Sequence, residues 1–303
     1  MGCDFPLKAY LTGQRHPSGK SLITFNRLKS VNSQLPPMEL PCNNCMGCKL
    51  ERSRQWAVRM VHESKLWDQN SFLTLTYNDE EVPQDYSLNL RHLQLFFKRL
   101  RKSLDQKIRF FACGEYGDLR GRPHYHAIVF NYDPPDKKQT MVINGKPHYE
   151  SENLSRLWGH GFATCADVTH QSCAYVARYV TKKIKTADTY GADRYYRLSP
   201  VDGRYYAVRP EFAVMSRRPG IGTGYVEQFK SDFYPSGYIV VDGIRQAPPR
   251  FYLSKLTEKE QFKLKVRARA RSLSQKQHKT TERRLARAAV RDARIKTLQR
   301  NLG

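Results

Sequence analysis

Residues 108–131 admit few folds. Ile108–Gly114 and His124–Asn131 are rich in aromatic and β-branched residues, Pro123 precedes the second run, and Gly117–Gly121 lies between them as a turn. That is the pattern of two strands folded into a hairpin. Side chains alternate faces along a strand, so His124 and His126 project from one face, about 7 Å apart, with Tyr125 on the other. Glu115 closes the first strand, and the hairpin carries its carboxylate towards the two imidazoles. Two histidines and a carboxylate, with positions left open for substrate, make a Lewis-acid site for a divalent cation. Such a ligand set admits Mg²⁺ or Mn²⁺, and Zn²⁺ suits it too. The same His-x-His also suits an edge strand whose imidazoles face solvent or stack in the core.

A second stretch weighs against that plainer reading. In Ala174–Lys183, Tyr175 and Tyr179 are four apart and share one face of a helix, and Lys182 and Lys183 follow near the same face. Tyrosines at helical spacing are usually packing residues. A pair that also carries lysines, downstream of a His-x-His strand, suggests nucleophiles beside a metal.

Together these segments resemble the HUH endonucleases, which nick single-stranded DNA. The Tyr-x-x-x-Tyr helix is similar to that of the two-tyrosine subgroup, and Phe72-Leu-Thr-Leu-Thr-Tyr77 matches the strand that opens the family's catalytic domain. Tyr125 stands where the family commonly has a bulky apolar residue. The N-terminal Pro-Cys-x-x-Cys-x-Gly-Cys at 41–48 and Ser-Arg-Arg-Pro-Gly-Ile-Gly at 216–222 resemble the rolling-circle initiators of gokushovirus-type microviruses in particular. The resemblance implies a ferredoxin-like, split βαβ palm. It also implies a cation on Glu115, His124 and His126, and Tyr175 and Tyr179 as nucleophiles assisted by Lys182 or Lys183. The reaction implied is transesterification at a replication origin, leaving a 5′-phosphotyrosine link and a free 3′-OH, with the strand rejoined afterwards.

Charge agrees with a nucleic-acid partner. Lys and Arg number 52 against 28 Asp and Glu, a formal +24, and phosphate neutralisation with counterion release drives such chains onto polyanions. A membrane surface is the other polyanion, but no apolar run approaches the roughly 20 residues of a spanning helix. Met1–Tyr10 contains Asp4 and Pro6 rather than the apolar core of a signal peptide. The expected location is the cytoplasm of a bacterial host.

Four segments are expected. In the first, 1–67, residues 1–47 read as loop with one strand at Ser21–Phe25, followed by an amphipathic helix from Cys48 that carries Leu50, Trp56, Ala57, Met60, Val61 and Trp67 inward and its arginines outward. Cys42, Cys45 and Cys48 are too close, in a cytoplasmic chain, to suggest disulfides. As thiolates they fill three corners of a structural zinc tetrahedron, with Cys3 or His62 as the fourth. An iron–sulfur cluster and free thiols at a helix start remain open. Cys113, Cys165 and Cys173 read as small buried hydrophobes.

Residues 68–190 form the endonuclease domain. Its strands are Ser71–Tyr77, 108–114, 124–131 and Phe162–Val168, and its helices Leu88–Leu104, Ser151–Trp158 and Ser172–Lys185, with Asn144-Gly145 as a hairpin turn. The class is α+β, an antiparallel sheet with helices on one face. Residues 191–252 are a β and loop extension. There Tyr195, Tyr196, Tyr205 and Tyr206 interleave with arginines as stacking aromatics do on single-strand binding surfaces. The turn Arg217–Gly224 suits a bound phosphate or merely a positive φ. Residues 253–303 hold 16 Lys and Arg against 4 Asp and Glu and favour helix, ordered by DNA.

Two rival readings stand beside the nickase: a transposase or relaxase on the same scaffold, and a nucleic-acid-binding protein without catalysis. The second has no use for Glu115, His124 and His126. No Walker motif occurs, so a host helicase is expected to unwind the duplex and a host polymerase to extend the 3′ end.

Overall fold

The computed structural model describes residues 2–32, 34, 36–117, 121–182, 195–274 and 276–297. In chain order, β1 (Leu7–Arg15), β2 (Ser21–Thr24) and β3 (Met38–Leu40) precede α1 (Met46–Ser64). Next come β4 (Asn70–Tyr77), α2 (Leu90–Lys102), β5 (Arg109–Tyr116) and β6 (Pro123–Phe130). They are followed by β7 (Lys138–Ile143), β8 (Lys146–Glu150), α3 (Glu152–Trp158), β9 (Gly161–Asp167) and α4 (His170–Lys182). Last are β10 (Tyr196–Leu198), β11 (Tyr205–Ala207), β12 (Phe212–Met215), α5 (Thr223–Gln228), β13 (Ile239–Val241), β14 (Ile244–Gln246), α6 (Arg250–Leu253), α7 (Glu258–Ser274) and α8 (Thr281–Lys296). The chain divides into two compact units, one of Met1–Glu51 with Arg271–Leu298, the other of Arg52–Ala270.

The larger unit is built on a seven-stranded antiparallel sheet in the order β12-β5-β6-β4-β9-β8-β7. The alternation of its central strands explains what covers it. β4 turns Leu73, Leu75 and Tyr77 to one side and Phe72 to the other, while β6 turns Tyr125, Ala127 and Val129 to the first side and Ile128 and Phe130 to the second. The first side meets Leu93, Phe96, Phe97 and Leu100 of α2. The second meets Cys173, Val176 and Ala177 of α4 and Ala57 and Met60 of α1. The α+β class and the antiparallel sheet are as expected. Helices expected on one face cover both, because the central strands carry apolar residues to both sides.

Turn chemistry sets the boundaries. Asn89 caps α2, its side chain accepting from the Arg91 N–H, and Ser151 caps α3 by accepting from Leu154. Gly159 ends α3 at φ 69°. Asn144 and Gly145 both have positive φ at the β7–β8 turn, as an Asn-Gly hairpin requires. Tyr125 is accommodated by polar partners at its tip: its hydroxyl donates to the Asn89 carbonyl and accepts from the Asn89 N–H, 2.8 Å away. The Tyr77 hydroxyl is also 2.8 Å from it.

Two expectations are corrected. Residues expected to be mostly loop before Pro41 form the antiparallel sheet β2-β1-β3. Its strands bury little, so they lack an apolar period. The arginines of α1 do not all face outward: the Arg59 guanidinium lies 3.9 Å from the ring centroids of both Trp56 and Phe251, and its Nε donates to the Ile221 carbonyl at 2.9 Å. At the turn 217–224 it is the positive-φ alternative that is seen: Gly222 has φ 79°, and its N–H donates to the buried Glu63 carboxylate at 2.6 Å.

His62 is a core residue rather than a ligand candidate. Its ring stacks on Tyr225 with centroids 3.8 Å apart, and Nδ1 is 3.0 Å from the Tyr252 hydroxyl. Burial, then the charge of Lys65, pushes its pKa down to about 4. The unfolded chain therefore binds a proton that the folded chain refuses between the ordinary value, roughly 6.5, and the depressed one. Stability should fall as pH drops through that window and level off below it, by about 3 kcal/mol from this group. Denaturant unfolding at pH 7 and pH 4.5 checks this: His62→Gln should show a shallower loss than the wild type. Equal losses would contradict it. Among the described residues, no helix is long and apolar enough to cross a membrane.

Candidate active site

The hairpin register brings the site together. β5 and β6 pair so that Glu115 lies directly opposite His124, and Cys113 opposite His126. Side chains of one parity share a face, so Glu115, His124 and His126 point together to the side covered by α4. The Glu115 Oε1 atom is 2.8 Å from Nε2 of His124 and 2.8 Å from Nε2 of His126. The helix then delivers Tyr175, whose hydroxyl donates to the same oxygen at 2.9 Å and lies 3.4 Å from His126 Nε2. Tyr179, one turn on, packs its ring 5.5 Å from that of Tyr175, and both are buried. Lys182 ends α4; its side chain, and Lys183 altogether, lie outside the described residues.

Second partners aim the imidazoles. His124 Nδ1 is 3.1 Å from the Arg122 carbonyl, which can only accept, so Nδ1 carries the proton. Nε2 of the same ring is then turned on Glu115 Oε1, and the 2.8 Å between them suits a proton or a cation held by both. His126 Nδ1 contacts Thr74 Oγ1 at 3.0 Å, and its ring stacks on Phe72 with centroids 5.4 Å apart. Anchoring Nδ1 while leaving Nε2 for the site is how metal-binding histidines are commonly held. Ligand atoms of all three residues lie within 4.8 Å of one another, and two imidazoles with one carboxylate fit a divalent cation.

The electrostatics follow from burial. The Glu115 carboxyl is held well below the usual range despite its burial, because His124 and His126 hydrogen-bond to its charged form. Burial depresses His126, with Glu115 opposing. Burial first, then the Glu115 charge, raises the Tyr175 phenol. At neutral pH these residues offer an ionised carboxylate, a neutral His126 and a protonated phenol. Access is from the His124 edge, since its side chain is 18% exposed against 4% for Glu115 and 2% for His126.

Thr74 and Arg122 were not among the residues picked from the sequence. The signal for Thr74 is the register that sets it opposite His126, which needs the fold. Of the four expected stacking tyrosines, Tyr196 and Tyr205 are 67% and 73% exposed and share one face of the β10–β11 hairpin. Tyr195 and Tyr206 instead donate to Glu211 and Asp202, each at 2.6 Å. Cys113, Cys165 and Cys173 are buried, as expected.

In the smaller unit, Cys3, Cys42, Cys45 and Cys48 converge with their sulfurs within 4.8 Å of one another. Cys3, not His62, is the fourth member. This is a second group of metal-ligating type.

An antiparallel sheet with a His-x-His and carboxylate set facing a two-tyrosine helix is the arrangement that the sequence resemblance implies. Comparison with known proteins agrees. Residues 70–184 match the family model of replication-associated protein ORF2/G2P. The chain is 34% identical over 234 residues to replication-associated protein VP4 of Bdellovibrio phage phiMH2K, covering 74% of this chain and 69% of that one. It is 33% identical to replication-associated protein ORF2 of Spiroplasma virus 4, covering 73% and 68%, and 33% identical to replication-associated protein ORF4 of Chlamydia phage 1, covering 70% and 52%. No solved structure matches. The chain belongs to the replication-associated proteins of gokushovirus-type microviruses, and is a replication initiator.

Proposed function

We propose that this initiator nicks single-stranded or origin DNA by tyrosine transesterification and later rejoins the strand. One observation carries the reading: the Tyr175 hydroxyl sits 2.9 Å from the Glu115 oxygen on which both histidines converge. Glu115, His124 and His126 would hold a divalent cation, Mg²⁺ or Mn²⁺, which when bound supplies Lewis-acid polarisation of the scissile phosphate and favours the phenolate.

The chain's own groups do the rest. Tyr175 Oη attacks phosphorus, the bond from phosphorus to the 3′ oxygen breaks, and that oxygen leaves as a 3′-OH after taking up a proton. The 5′ phosphate stays on the tyrosine, so the phosphodiester energy is kept and the reaction can be reversed. A phenol with a reference pKa near 10, raised further by burial, needs its proton drawn off. Its hydrogen bond to Glu115 fixes the direction in which the proton points. Lys182 and Lys183 are proposed to stabilise the phenolate. Tyr179, on the same helix, is proposed as the second nucleophile that cuts after one round of synthesis. Exposed Tyr196 and Tyr205 are suited to stack unpaired bases. Partners on this reading are the origin strand, a host helicase and a host polymerase, in the cytoplasm of the bacterial host.

The test is an SDS-stable adduct assay with purified protein and circular single-stranded DNA, with Mn²⁺ and with chelator. An adduct that forms only with metal is expected. DNA binding without adduct under Mg²⁺ or Mn²⁺ would replace this reading with a non-catalytic binding protein.

A further inference from the structure

The smaller unit has little apolar core of its own, since Ala9 and Cys48 are its only buried hydrophobic residues among those described. What ties it together is the approach of three segments distant in sequence. The first is 2–4. Gly2 packs so close to Gly47 that a Cβ on Gly47 would stand 1.6 Å from the Gly2 carbonyl oxygen, so only glycine fits there. That contact seats Cys3 among the thiols of Cys42, Cys45 and Cys48. Cys3 Sγ is 3.7 Å from Cys42 Sγ and 3.8 Å from Cys45 Sγ.

A zinc ion bound by four sulfurs at about 2.3 Å has tetrahedral edges of about 3.8 Å. The spacing therefore suits one ion, whereas an iron–sulfur cluster spreads its cysteines around a body of several atoms. Backbone amides complete the pocket: the N–H groups of Asp4, Cys42 and Cys45 donate to Cys45, Cys3 and Cys42 sulfurs at 3.3, 3.4 and 3.3 Å. Amides donating to sulfur favour the thiolate form that binds metal.

The third segment is α8. Asp4, next to Cys3 and buried, accepts from the Gly47 N–H at 2.9 Å and pairs with Arg291 of α8. Glu39, three residues before Cys42, pairs with Arg284 of α8 through both carboxylate oxygens at 2.6 and 2.8 Å. Both acidic anchors of this helix are thus fixed within three residues of a sulfur. Arg283, Arg287 and Arg294 of the same helix stay exposed and, with Arg291, border a groove of about 390 Å³.

We propose that Cys3, Cys42, Cys45 and Cys48 bind one zinc ion, and that this ion holds the seat on which the arginine helix α8 docks. Order in the basic tail is then metal-dependent, and its exposed arginines are presented to nucleic-acid phosphate from a zinc-stapled support. The proposal does not depend on nicking.

The test uses the full-length protein. Purified under reducing conditions, it should carry one equivalent of zinc by elemental analysis. His124→Ala with His126→Ala should keep that zinc, and Cys42→Ser with Cys45→Ser should lose it. Cobalt substitution should give sulfur-to-metal charge-transfer and tetrahedral d–d bands. Removing zinc should raise hydrogen exchange in 281–296 about tenfold or more, with α4 unchanged as the internal control. Because the cysteine variant also loses its staple, Asp4→Asn separates the two claims: it should keep zinc yet loosen 281–296. Zinc that follows the histidines, or no thiolate-bound metal, would overturn the site. Unchanged exchange in 281–296 after zinc loss and in Asp4→Asn would overturn the docking.

Discussion

Tyr175→Phe is expected to abolish the first covalent adduct, by on the order of 10³-fold or more, as removal of a nucleophile does in other covalent enzymes. The change deletes one oxygen atom. Glu115 keeps both imidazoles as partners, so the cost in stability should be only about 1 kcal/mol. A folded protein that no longer reacts is the signature sought. Tyr179→Phe should leave the first adduct intact and lose the second transfer, because the Tyr175 hydroxyl already donates to Glu115 Oε1 and Tyr179 stands one helical turn on, its ring adjoining that of Tyr175. A single-stranded substrate with two nick sites distinguishes the steps, since adduct reports the first and circular product the second. Full adduct in Tyr175→Phe with none in Tyr179→Phe would reverse the assignment. Adduct in the double variant would remove both tyrosines from the chemistry.

Glu115→Gln should be nearly as severe, through the metal. Outer partners of metal ligands are typically worth about 10- to 100-fold in affinity, and a residue that both histidines and the tyrosine contact should be worth more. The expected result is a Mn²⁺ requirement shifted up by at least about 10²-fold, read by titrating metal against adduct. If Glu115→Gln forms adduct at wild-type metal concentrations, the carboxylate is structural and the ligand assignment fails. The same variant should alter acid stability. Glu115 is held below its ordinary range in the fold, so it contributes stability above the unfolded carboxylate value and loses it as pH falls towards the folded one. His126, depressed by burial, acts with the same sign, since the unfolded chain takes up its proton first. Acidification should therefore loosen this face of the sheet, and Glu115→Gln should flatten part of that dependence.

Legibility in the sequence tracked how much each element buries. The β5–β6 hairpin was readable because two apolar runs flank a glycine-bounded turn, and α2 because Leu93, Phe96, Phe97 and Leu100 repeat at helical spacing and are all buried. Asn144-Gly145 was readable because few other pairs adopt two positive φ values. β1 and β3 were not, since exposed strands need no hydrophobic alternation. Arg59 was misjudged, and His62 was left beside Cys3 as an open alternative, for a related reason. A polar side chain shows in sequence only its chemistry, and whether it faces solvent, a metal or an aromatic ring depends on segments far along the chain. His62 meets Tyr225 and Tyr252, and Arg59 meets Phe251.

By itself the sequence determined the residue types gathered at the site, the shared strand face of the two histidines, the tyrosine helix and a charge that favours a polyanion, because period, spacing and composition are local. Only tertiary structure decided that Glu115 stands opposite His124, that α4 brings the Tyr175 hydroxyl onto the carboxylate, and that Cys3 completes the thiol group. Each of those depends on register or on the meeting of distant segments. Such contacts form only when burial of the whole sheet and its helices offsets the conformational entropy of holding them.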